Sequence, residues 1–175
     1  MSALLNRDIL IRNMTFIYRT MMASAPLLEF AIKRSEGSLR DYYKLHLAEE
    51  RGHDLLLKGD LGALGVTDIP HDFTAAMIAG AQYYLIAHFH PALLLGYMMV
   101  LESKPMTEAE IEAIERAHST TQYALRLHSQ HDPQHFRDLQ TMRASLPQEL
   151  QAAVDWNAAG VRDTLNAEFA RWTNG

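Results

Sequence analysis

Two short segments carry residues able to hold a metal ion, and they share one spacing. The first is His46-x3-Glu50-x2-His53, within HLAEERGH; the second is His128-x3-Asp132-x2-His135, within HSQHDPQH. Steps of i, i+4 and i+7 put three imidazole or carboxylate groups on one face of an α-helix, spread over about 60° at about 100° per residue. Mixed nitrogen and oxygen donors from facing helices are how bundles hold redox-active iron or manganese. Glu49 projects about 40° from His53, so either Glu49 or Glu50 can face inward. An EER run is equally at home on a solvated face. The second segment is more specific, because His118, His128, His131 and His135 crowd a short stretch beside apolar Leu125, Leu127 and Phe136. Its competing reading is a histidine-rich polar face on which Asp132 only caps a helix.

Glu102 supplies a third element. It closes the apolar run LLLGYMMVLES, where a carboxylate is expensive to bury without a partner. A cluster between two helices needs a carboxylate from a third, and Glu102 is the candidate bridge; beside Lys104 it can also sit at an exposed helix end. His88 and His90 precede Pro91 and suit packing or outer-shell roles. Tyr83, Tyr84 and Tyr97 could line a cavity, and the pairs Met21-Met22 and Met98-Met99 suit core filling.

These residues must be positioned by helices, since helical periodicity runs through nearly the whole chain and strand signals are missing. The spacing predicts a helix from about Leu4 to Ser24, restarted or kinked at Pro26 and continued to Arg34. Ser38 reads as the N-cap of a long helix from Leu39 to about Lys58, closed by Gly59, Gly62 and Gly65. Asp72 caps the next, which runs from Phe73 to Ser103 with an interruption at Pro91. Thr107-x2-Glu110 is a capping box opening a helix to about His131. Asp132-Pro133 reads as a cap with proline at the first helical position. Leu146-Pro147 precedes a final helix reaching about Trp172. The expectation is an all-α bundle of six to seven helices forming one domain over residues 1–175.

Composition narrows the function. With 175 residues, 48% hydrophobic and 21% charged, the chain has enough material for a core. A net charge of -5 argues against a nucleic-acid partner. Pro91 to Leu101 is the longest apolar stretch and is too short to cross a membrane; residues 2–12 lack the pattern of a secretion signal. Zero cysteines exclude thiolate ligands and disulfides, which fits a cytoplasmic location.

In the order HLAEERGHDLLLKGDLGALG, GYMMVLES, HSQHDPQH, these segments resemble the heme-oxygenase-like superfamily, and within it the non-heme di-iron oxidase and oxygenase branch. The resemblance covers roughly residues 10 to 140. It implies a helical bundle with metal ligands from three core helices. Residue by residue, Glu50 and His53 match the first ligand helix, Glu102 the second, and His128, Asp132 and His135 the third. Some members carry a glutamate where this chain has His46, which leaves His46 a seventh ligand or an orienting residue. One fewer carboxylate can favour a single ion or a different metal. The chain is short for the branch, so a homodimer partner or a shorter lid would complete its cavity. No cysteine nucleophile is present for the thiaminase-like chemistry of the same superfamily, and no histidine precedes His46 to hold heme. The resemblance implies iron, one or two ions with manganese as an alternative, acting with O2 on a small organic substrate. Two other readings stand beside it: a non-catalytic binding protein with a vestigial metal site, and a heme-binding or heme-degrading enzyme using His46.

Overall fold

The computed structural model describes residues 2–174. Among them are eight α-helices: α1 (Arg7–Ile32), α2 (Gly37–Glu50), α3 (His53–Ala63), α4 (Phe73–His88), α5 (Leu94–Leu101), α6 (Glu108–His118), α7 (Tyr123–Ala144) and α8 (Gln148–Asn174). Short 3-10 turns occupy Ser2–Leu5 and Pro91–Leu93. No strand occurs among the described residues.

Helix α1 is the spine. It packs against α2, α3 and α4 and buries Leu10, Met14, Leu27, Leu28 and Ala31. Pro26 does not break it. Nor does Pro133 break α7, which therefore runs continuously through Asp132. Both prolines lie on exposed faces, where water can satisfy the carbonyl that each leaves without an amide donor. Asp132 is thus an interior helix residue, not a cap.

Three further boundaries move. The first ligand helix begins at Gly37 with Glu36 as its N-cap, rather than at Ser38. It ends at Glu50, and the expected 39–58 helix is cut in two at Arg51-Gly52. Gly52 has φ 91°, a left-handed backbone that side chains disfavour. Gly59 and Gly62 then lie inside α3, and Gly65 follows its end. The helix opened by Thr107 stops at His118, where Ser119 takes φ 54°. The Thr107–Glu110 capping box and the Asp72 cap form as expected.

Three contacts fix the site-bearing helices and their neighbours. Asp60, buried in α3, accepts the amides of Tyr123 and Ala124 at 3.1 and 2.8 Å, and so caps the start of α7 from another helix. Gly96 lets α5 lie directly on α8: a Cβ there would stand 2.3 Å from the Val154 carbonyl. Asn157 of α8 donates to Gln82 at 2.8 Å and to the Leu93 carbonyl at 2.7 Å, tying α4, the Pro91–Leu93 turn and α8 together.

Candidate metal centre

Helices α2, α3, α5 and α7 converge on two groups of three. His46, Glu102 and His135 form one, and Glu50, His53 and His128 the other; within each, one ligand atom per residue lies within 4.8 Å of the other two. The i, i+4 step brings His46 and Glu50 onto one face of α2. The turn at Gly52 then carries His53 back over Glu50, with His53 Nδ1 at 3.4 Å from Glu50 Oε1. Glu102 follows the last residue of α5 and places Oε1 at 3.3 Å from His46 Nε2 and Oε2 at 3.7 Å from His135 Nδ1. From α7, His128 and His135 project two turns apart, one into each group.

Glu50 faces the centre and Glu49 flanks it. Glu50 Oε1 lies 3.8 Å from His135 Nδ1, so this carboxylate reaches histidines of both groups. Glu49, 44% exposed in its side chain, sits 3.3 Å from His135 Nε2 on the outer side. Asp132 lies outside both groups, and its Oδ1 is 2.9 Å from His128 Nδ1. The two carboxylates thus stand behind the two α7 histidines.

The inward atoms are buried yet unsatisfied. His53 Nδ1, His128 Nε2, His135 Nδ1 and Glu102 Oε2 find no hydrogen-bond partner within the protein. A buried polar atom without a partner costs about 1–3 kcal/mol, and four in one place form a donor set that a cation satisfies. Burial pushes the Glu102 carboxyl up to about 7, against the pull of His46 and with the push of Glu50 and Asp132. Burial also pushes Glu50 up, but His53, His128 and His46 outweigh it and bring this carboxyl down to about 2. His46 and His128 are raised: burial opposes their charge, but Glu102 and Asp132 respectively overcome it. Burial and neighbouring His46 lower His135.

A cavity of about 200 Å³ opens against this centre. His46, Glu50, Glu102, His128 and Asp132 form one wall; Phe16, Met21, Leu28, Tyr97, Met98 and Leu125 are among the mostly apolar remainder, with Lys104 on its lining.

The crystal structure of a domain of unknown function with a heme oxygenase-like fold, from Shewanella denitrificans OS217, superposes with a TM-score of 0.77. The match covers 99% of this chain and 82% of that one at 17% sequence identity. The fold is heme oxygenase-like. No family model matches the chain, and no curated protein does. At this identity the likeness establishes the fold alone.

Within the heme oxygenase-like bundle, all seven residues singled out from the sequence meet in one place, with Asp132 behind His128 rather than in a group of three. Other candidates disperse. Tyr97 lines the cavity with a buried hydroxyl, whereas Tyr83 and Tyr84 face outward. His88 is exposed, and His90 Nδ1 accepts the Ala92 amide at the Pro91 turn. Met21 and Met98 line the cavity, while Met22 is exposed. Sequence reading missed Tyr42, whose buried hydroxyl has no partner and whose ring lies 5.9 Å from that of His46. Burial, then the charge of Glu102, raises its hydroxyl pKa. The signal was available: Tyr42 stands four residues before His46, on the same helix face.

Proposed function

We propose that this chain is a non-heme iron oxidase or oxygenase that holds two iron ions and uses O2 on a small, largely apolar substrate. One observation carries the reading: two adjacent groups of two histidines and one glutamate, with four of their nitrogen and oxygen atoms buried and unpartnered. Imidazole with carboxylate is the donor set suited to iron and manganese, and cysteine is absent. His46, Glu102 and His135 would hold one ion and Glu50, His53 and His128 the other. Glu50, rather than Glu102, is the carboxylate within reach of histidines of both groups. Asp132 fixes the His128 tautomer: by accepting from Nδ1 it presents Nε2 inward. Glu49 stands behind His135 in the same relation.

Iron bound there would supply the activation of O2 that no side chain can perform. The protein's own part is to admit an apolar molecule to the cavity beside His46 and Glu50, to keep water from it, and to manage protons. Glu102, with its carboxyl near 7, would give up its proton when an ion binds. The cavity's size favours this reading over heme binding, since a porphyrin needs far more room than about 200 Å³.

The test is metal content. Protein loaded anaerobically with Fe(II) and desalted should retain about two irons per chain, and His128→Ala should retain about one or none. Exposure to O2 should bring a transient visible absorbance. Metal at background in the parent, or unchanged in His128→Ala, would sink the proposal. A Soret band on hemin titration that vanishes in His46→Ala would favour the heme reading instead.

A further inference from the structure

The cavity beside the metal centre has a charged mouth and a polar atom waiting further in. Along α5 its lining steps through Leu94, Tyr97 and Leu101, three or four residues apart and so on one helix face, and reaches Lys104 just beyond the helix end. Exposure rises along this row: Leu94 and Tyr97 are buried, Leu101 is half-buried and Lys104 is exposed. Among the described residues of the lining, Lys104 is the one exposed residue, and it is also the one lysine or arginine. The mouth is therefore at Lys104.

Nothing on the protein uses that charge. Lys104 enters no ion pair among the described residues. The acids that open α6 nearby are engaged elsewhere, Glu108 with Arg126 at 3.4 Å and Glu110 with Thr107 in the capping box. Deeper along the row, the Tyr97 hydroxyl is buried with no hydrogen-bond partner, although the residue is only 2% exposed. Buried hydroxyls are ordinarily paired, and an orphan on a cavity wall is satisfied by what enters the cavity.

We infer that the cavity takes a small amphipathic monocarboxylate, its carboxylate on Lys104 at the mouth and its apolar body along the α5 row, with a polar atom at the far end meeting the Tyr97 hydroxyl. The inference deepens the proposed function by naming its substrate class, and takes this cavity as the substrate site. A single ammonium balances one negative charge, which selects a carboxylate over a dianionic phosphate. Glu50, Glu102 and Asp132 on the metal-bearing wall repel an anion from the interior, so the head stays at the mouth and C–H bonds face His46 and Glu102. A volume of about 200 Å³ holds about seven groups of water size at about 30 Å³ each. Octanoate, with seven carbons beyond its carboxylate, is the matching probe.

Binding of this kind needs no metal, so it is measured on the full metal-free chain, separately from iron content. With ¹³C-methyl methionine, octanoate should shift Met21, Met98 and Met106, which line the cavity, and leave exposed Met22 and Met77 unmoved. Calorimetry should show octanoate bound more tightly than octan-1-ol or octylamine. Lys104→Met keeps the apolar stem and should weaken octanoate about fivefold to tenfold while leaving octan-1-ol unchanged. Lys104→Glu should reverse the preference toward octylamine; exposure of the site leaves the fold, read by circular dichroism, intact. Tyr97→Phe should weaken 7-hydroxyheptanoate, whose hydroxyl takes the place of the octanoate methyl, about tenfold and leave octanoate unchanged. Absence of cavity methionine shifts at millimolar octanoate overturns the inference. So does equal binding of octanoate and octan-1-ol, or indifference of octanoate to Lys104→Met. Carboxylate binding in a chain that retains no iron would uphold this inference while the oxygenase reading fails.

Discussion

A buried carboxylate with a carboxyl near 7 would tie the proposed metal binding to protons. Glu102 must lose its proton to ligate, and His46 and His128, both raised from 6.5, must lose theirs. Affinity for Fe(II) should therefore fall as pH drops below about 7, with protons released on binding. Calorimetry in two buffers of different ionisation enthalpy measures that release; a proton count of zero would contradict it. The orienting role proposed for Asp132 has its own signature. Asp132→Asn keeps the shape but loses the charge behind His128, and should weaken metal affinity about 10- to 100-fold without unfolding the chain.

At the level of elements, the site depends on how helices start and how closely they meet. Asp60 caps α7 from α3, so Asp60→Ala should destabilise the protein by about 1–2 kcal/mol. It should also loosen His128, one turn further along α7, lowering metal affinity in step with denaturation midpoint. Gly96→Ala is the harsher change. Its methyl would overlap the Val154 carbonyl, and overpacking of this kind costs about 1–3 kcal/mol or more; chemical denaturation should show a loss at the upper end of that range.

For the whole molecule, metal and pH act in opposite senses. Without metal, Glu102 is raised from 4.5 to about 7, so its cost to the fold grows as pH rises from 4.5 and is complete above 7. His46 and His128 are raised from 6.5, so the stability they contribute is full below 6.5 and is lost as pH rises through their folded values. His135, lowered from 6.5, works the other way but is outnumbered. The metal-free Tm should thus be lower at pH 8 than at pH 6. Saturating Fe(II) should raise Tm most at pH 8, since stabilisation grows with ligand concentration over Kd. A metal-free Tm that rises over this window would mean that these groups do not titrate together as placed.

The sequence alone determined the all-α class and picked out seven residues that meet at the candidate centre, because 3.6-residue periodicity and i, i+4, i+7 spacing are local properties of a helix. It also marked Asp72 and the Thr107–Glu110 box, whose hydrogen bonds close within one turn. Only the tertiary structure decided the rest. Pro26 and Pro133 signal breaks, yet exposure of their faces lets α1 and α7 run on, which turns Asp132 from a cap into the partner of His128. Arg51-Gly52 gave little warning of the bend that folds His53 over Glu50. The sorting into two groups, and the choice of Glu50 over Glu49, depend on distances between residues far apart in the chain. Asp60 capping α7 and the close approach at Gly96 are contacts between helices, and spacing within one helix carries no information about its neighbour.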